Sequence, residues 1–228
     1  MVKKLFIIVT LGFLVYMMLP LATDIKPFEK LSPLAEKYVS DGPDELGGAN
    51  LVTSVIVTYR GLDTLGEVAV LFIATAGIGF FLRRKESNKK VSKRKSSEIL
   101  QTGTAFLVPL IFLFGTYIFL HGHLTPGGGF QGGVVIASGI LLLMLSDVSV
   151  KINKTILHWT ESLSGAFYIS IGILGLVLAS GFLDNRFLPL GEFGQLFSAG
   201  AIPVIYSFIG LKVGAELVGI LDNMQRSQ

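Results

Sequence analysis

Six apolar stretches dominate this chain: Leu5–Leu19, Leu62–Leu82, and roughly 99–120, 128–146, 161–180 and 196–220. In lipid a spanning segment must satisfy its own backbone hydrogen bonds, which leaves helices and closed barrels, and about 20 apolar residues cross the hydrocarbon core as a helix. No stretch alternates apolar and polar residues as a barrel strand does. The sequence therefore predicts an all-α, polytopic integral membrane protein with about six transmembrane helices. Composition agrees, with 15% charged residues and a mean hydropathy of +0.66, where soluble domains carry nearer a quarter charged. Leu5–Leu19 has the look of a signal peptide, but Pro20-Leu21-Ala22 is a poor cleavage site, so it reads as a retained first helix. The chain has no cysteine, which excludes disulfides, iron–sulfur clusters and thiolate metal sites within it.

The basic residues set the expected orientation. With both termini cytoplasmic, thirteen of the 19 Lys and Arg residues fall in inside segments and four in outside segments, as the positive-inside bias requires. This crowding accounts for the net charge of +3 without a nucleic-acid partner. Residues 23–50 carry six acidic residues against three lysines and read as an external loop. Arg83 to Lys95 carry eight basic residues and no apolar run. They read as a solvated cytoplasmic linker, with contact to anionic lipid headgroups as a secondary reading. Three parts follow: a two-helix part at 1–82, a basic linker at 83–98 and a four-helix part at 99–228. No internal repeat relates them.

Residues 49–82 are too long for one straight span. The 34 residues would make a helix of roughly 51 Å against a core of ~30 Å. A break is expected near Arg60-Gly61, with Leu51 to Tyr59 interfacial or re-entrant and Leu62 to Leu82 spanning. Arg60, Asp63 and Glu67 lie at i, i+3 and i+7, within about 60° of one helical face. Charges in apolar surroundings cost several kcal/mol unless they are paired or face water. Two readings stand. Glu67 and Asp63 belong to a proton or cation pathway whose affinity Arg60 tunes, or the three make a structural ion-pair cluster at the outer interface.

Residues 121–133 read His121-Gly122-His123-Leu124-Thr125-Pro126-Gly127-Gly128-Gly129-Phe130-Gln131-Gly132-Gly133. Pro126 is expected to end one helix and stand in the first turn of the next, with Thr125 as cap. Gly127, Gly128, Gly129, Gly132 and Gly133 would let that helix start among close neighbours. The string lacks the spacing of a phosphate-binding loop, and no strand precedes it. His121 and His123, at i, i+2 with no third ligand, predict no metal site. They serve either a structural turn or a proton relay.

As a whole, Tyr117 to Gly133 resembles the signature of the MnhB family, the B-type component of multisubunit Mrp-type sodium/proton antiporters, and the likeness runs over about residues 99–222. Tyr59 to Glu67 is similar to the C-terminal segment of the large A-type component, which is a separate small protein in membrane-bound hydrogenases and related sulfur-reducing complexes. The large antiporter portion of that component does not precede it here. The resemblance implies a subunit of a cation/proton translocating module in a prokaryotic cytoplasmic membrane. That module is either part of a complex-I-related respiratory complex or a free-standing antiporter. It also implies Na+ and H+ as transported ions with no tightly bound cofactor. Expected partners are other Mrp-type membrane subunits and lipid, with hydrogenase-like or iron–sulfur proteins in the same complex.

Lys212 and Glu216, at i, i+4 in the last apolar run, can pair. They belong either to an ion path or to a lysine snorkelling toward the interface. Pro203 is expected to kink that helix, and Glu161 to favour the start of the one before it. No nucleophile–base arrangement suggests an active site. A purely structural subunit that packs its neighbours is the remaining alternative.

Overall fold

The computed structural model describes residues 2–23, 30–82, 96–147 and 150–227, and every described element is helical. Most of the basic linker, Arg83 to Lys95, lies outside the described residues. Among the described residues, six helices are long and apolar enough to span a membrane.

Met1–Glu36 and Lys37–Gln228 are two compact units. The first holds α1 (Val2–Thr23), whose side chains from Lys3 onward are all exposed. Within that unit nothing packs along its apolar surface, and Phe6 and Tyr16 are 72% and 73% exposed. α2 (Pro33–Leu46) starts in this unit and continues into the second. The expectation of an external loop at 23–50 missed it. Gly42 and Pro43 inside an acidic segment read as loop in sequence, yet Gly42 is buried where a Cβ would stand 2.7 Å from Leu51 Cδ1.

The second unit builds the bundle. α3 (Leu51–Ser54) runs into a π-turn at Val55–Tyr59, the helix breaks at Arg60, and α4 (Gly61–Leu82) follows. The break stands where chain length required it. Thr64 Oγ1 donates to the Ile56 carbonyl at 2.8 Å, which ties the start of α4 back across the break. α5 (Glu98–Leu120), α6 (Gly129–Ser146), α7 (Lys154–Leu178) and α8 (Ile202–Ser227) complete the bundle. α8 is central, packed by α4, α5, α6 and α7. Its Ile202, Ile205, Tyr206, Ile209 and Val213 form the core with Val57, Tyr168 and Ile171.

Two proline expectations fail for one reason. α8 starts at Ile202, so Pro203 occupies its first turn, where no intrahelical N–H is needed, and does not kink an interior. α6 starts at Gly129 with Gly128 as cap, so Pro126 lies in the connection and Thr125 is not the cap. Thr125 Oγ1 donates back to the His121 carbonyl at 3.4 Å instead. Glu161 is likewise not at a helix start, because α7 begins at Lys154 with Asn153 as cap. Glu161 lies two turns in, 3.8 Å from His158 Nδ1.

Candidate functional site

The glycine-rich turn is held from two directions. Asn50 caps α3, and its Nδ2 also donates to the carbonyls of Gly122 and Thr125 at 2.8 and 2.9 Å. Its backbone N–H donates to the His123 carbonyl at 2.9 Å. Thr53 Oγ1 donates to the Gly122 carbonyl at 2.6 Å and accepts from Tyr206 Oη at 3.2 Å. Sequence reasoning did not single out Asn50, Thr53 or Tyr206. The only signal was the Asn-x-x-Thr pattern of a helix start, which says nothing of a partner more than 70 residues away.

The glycines work through contact distance. A Cβ on Gly132 would stand 2.7 Å from the Gly115 carbonyl oxygen of α5, and one on Gly133 would stand 2.7 Å from the Gly210 carbonyl oxygen of α8. Gly129 would meet Ile209 Cβ at 2.7 Å, and Gly127 the Ile118 carbonyl oxygen at 2.9 Å. Gly128 has φ near 153°, open to glycine, and faces the Tyr206 ring. The amino end of α6 thus lies at backbone contact with both neighbours, the close approach that small residues permit in membranes.

The two histidines of the turn do different things. His121 stacks on Tyr117 with ring centroids 4.2 Å apart. His123 is wholly buried, its Nε2 is 3.3 Å from the Gln195 carbonyl and its Nδ1 has no hydrogen-bond partner among the described residues. Burial pushes the His123 imidazole below its ordinary pKa.

Arg60 and Asp63 meet: Arg60 Nε donates to Asp63 Oδ2 at 2.6 Å, and both side chains are more than half exposed. Glu67, a turn further along α4, is exposed and makes no ion pair among the described residues. It lies within electrostatic range of the hydroxyls of buried Tyr168 and Tyr206. Leu62, Val70 and Ile73 are exposed on the same helix, so much of α4 is uncovered by the other helices of the Lys37–Gln228 unit.

Lys212 and Glu216 form a buried pair, with Nζ 2.6 Å from Oε1 and side chains 12% and 0% exposed. The ammonium also stands 5.2 Å above the Phe72 ring of α4. Glu216 Oε2 has no donor among the described residues. The lysine is thus largely buried and reaches one turn along α8 to its partner. Nearer the carboxyl end of α8, Asp222 is 3.9 Å from Lys154.

A third cluster, which sequence reasoning also missed, joins distant segments beside the glycine-rich turn. Arg186 bonds Asp184 at 2.6 Å and Glu45 at 3.3 Å, and Tyr59 donates to Glu45. Arg186 holds the Asp184 carboxyl below its usual range. Asn185, fully buried, donates to the carbonyls of Leu46 and Ala199 at 2.9 and 2.8 Å. Among the described residues no three His, Asp or Glu side chains converge on a metal position.

Residues 99–219 match the MnhB family, described as a domain related to the MnhB subunit of Na+/H+ antiporter, and residues 2–97 match the MbhE family of MBH. The B-type component of the Na(+)/H(+) antiporter of Alkalihalophilus pseudofirmus is 35% identical over 135 residues, spanning 56% of this chain and 92% of that protein. Among solved structures, the chain is similar to one chain of the membrane-bound sulfane sulfur reductase, an archaeal respiratory membrane complex. The TM-score is 0.83 at 41% identity, over 98% of each chain. A chain of the Mrp complex from Dietzia sp. shares the fold, with a TM-score of 0.74 at 22% identity over 97% of this chain and 26% of that one.

Proposed function

Because this chain belongs to the family related to the MnhB component of Na+/H+ antiporters, we propose that it is a membrane subunit of an Mrp-type cation/proton translocating module within a respiratory complex of the sulfur-reductase or membrane-bound hydrogenase type. One observation carries this reading. The chain matches a single chain of the sulfane sulfur reductase complex over 98% of both lengths, so the MbhE-like and MnhB-like parts follow one another in that assembly's chain too. A free-standing antiporter is the second reading, favoured by the MnhB-type antiporter protein that the chain covers over 92% of its length. Both termini lie on the cytoplasmic side in this proposal, supported by the distribution of Lys and Arg.

Within the module, Glu67 takes part in the ion path, with Na+ and H+ as the transported ions and no active site on this chain. Its support is geometric: an exposed carboxylate on a spanning helix that the rest of its own unit leaves largely uncovered. Such a group needs a neighbour or water. The Arg60–Asp63 pair closes its own charge at one end of α4, and Lys212–Glu216 does so inside the bundle. The glycine-rich part is the scaffold that holds α3, and through it the start of α4, by way of Asn50 and Thr53.

The test is purification of the native complex in mild detergent with identification of its components by mass spectrometry. Co-purifying hydrogenase-like or iron–sulfur proteins support the redox-driven complex, and antiporter-type membrane proteins alone replace it with the second reading. In inverted vesicles, Glu67→Gln in the assembled complex should lower sodium/proton exchange at least tenfold. Normal exchange with normal assembly removes Glu67 from the path.

A further inference from the structure

At the end of the bundle away from the His121–Gly133 turn, α6, α7 and α8 line a cavity of about 420 Å³. Its walls are apolar, from Ile140 and Leu143 of α6, Leu157 of α7 and Leu211, Ala215 and Val218 of α8. Ile156 and Leu211 also line it and are 64% and 41% exposed. The cavity therefore opens sideways between spanning helices and is not sealed in the core.

Its rim is polar and basic. Lys151 and Asn153 stand where the connection between α6 and α7 meets the cavity. Lys154 is 3.9 Å from Asp222, and Asn153 Oδ1 accepts from the Thr155 and Ile156 backbone N–H groups at 3.0 and 3.3 Å. Lys151 is exposed and makes no ion pair among the described residues. It sits beside the amino end of α7, which carries the positive end of that helix dipole.

An apolar shaft open to the side, ending at a spare cation where two spanning helices terminate, has the chemistry of a lipid seat. We propose that this groove binds one anionic membrane phospholipid, with an acyl chain between α6, α7 and α8 and the phosphate on Lys151. Lipid tails surround every spanning helix, so the apolar walls alone give no preference over bulk lipid. Selectivity must come from the headgroup, and a single basic residue near a membrane surface confers about a fivefold preference. A partner's spanning helix would fill the same walls but would leave Lys151 without a counter-charge.

Native mass spectrometry of the intact purified complex, delipidated and reloaded with phosphatidylglycerol or phosphatidylcholine, tests this directly. The wild type should retain one phosphatidylglycerol per copy of this chain with about fivefold preference over phosphatidylcholine. Lys151→Glu, at an exposed position without an ion pair among the described residues, should assemble normally and bring that preference to parity or below. Leu143→Trp, which fills the cavity, should retain one lipid fewer per copy. Equal phosphatidylglycerol retention in the wild type and both assembled variants overturns the proposal, as does a partner's helix lying in the groove in a structure of the intact complex. If Leu143→Trp prevents assembly, Lys151→Glu decides alone.

Discussion

Lys212 and Glu216 put opposite charges inside a wall of apolar helices, and the carboxylate side chain is fully buried. Removing one member of such a pair costs about 3–5 kcal/mol, whereas replacing both with apolar residues is often near neutral. Lys212→Met should therefore lower the melting temperature of the purified complex clearly, and Lys212→Met with Glu216→Leu should restore most of it. Transport by the stable double variant then separates an ion-path role, which it abolishes, from a packing role, which it leaves intact. His123 gives a pH-dependent case. Burial depresses its pKa, so the unfolded chain binds the proton more readily. The sign follows: this contribution to stability is full above about pH 6.5 and is lost as pH falls through that value toward the lower folded pKa. Thermal unfolding between about pH 7.5 and 5.5 should show this loss, and His123→Gln should flatten the profile.

Elements in this bundle are positioned by backbone contact more than by large side chains. α6 meets α5 through Gly132 and Gly115 and α8 through Gly133 and Gly210, where hypothetical Cβ atoms on Gly132 and Gly133 would each lie 2.7 Å from a carbonyl oxygen. Those neighbours are main chain and cannot rotate away. Gly132→Leu should abolish co-purification of the complex, and Gly133→Ala should already reduce its yield severalfold. Gly103→Ala, whose Cβ meets nothing within 4 Å of this chain, should change neither. The presence of the spanning helices was readable because ~20 apolar residues in lipid permit little else. The break at Arg60 was readable because the run exceeds the bilayer. α2 was not readable, because a 14-residue helix with Gly42 and Pro43 inside it has the composition of a loop. Pro203 was misread because its effect depends on where the helix begins, which apolarity alone does not mark in a run starting near residue 196.

The two family matches meet between residues 97 and 99, yet from Lys37 onward the chain is one compact unit. The link is specific: Asn50 and Thr53 donate to three carbonyls of the 121–125 turn, and α4 lies against α8. Each such bond contributes about 1 kcal/mol net, and more where a buried carbonyl would otherwise be orphaned. Co-expressed fragments 1–90 and 91–228 should therefore co-purify. Asn50→Ala with Thr53→Ala should weaken that association at least tenfold, measured by pull-down of one tagged fragment. Association unaffected by the double substitution would shift the weight to α4–α8 packing.

Amino-acid order alone was enough for the solvent of this protein, the number of its spanning segments, the break at Arg60 and the family, because each follows from local composition or from a contiguous string. Which distant charges meet, and which are buried, was settled by packing in three dimensions. Packing buried the Lys212–Glu216 pair that i, i+4 spacing had allowed, joined Arg186 to Glu45, left Glu67 exposed and brought Asn50 to a turn more than 70 residues away. Hydrogen bonds and ion pairs between distant segments depend on how helices pack, and helix packing in lipid is set by small-residue contacts that no single segment specifies.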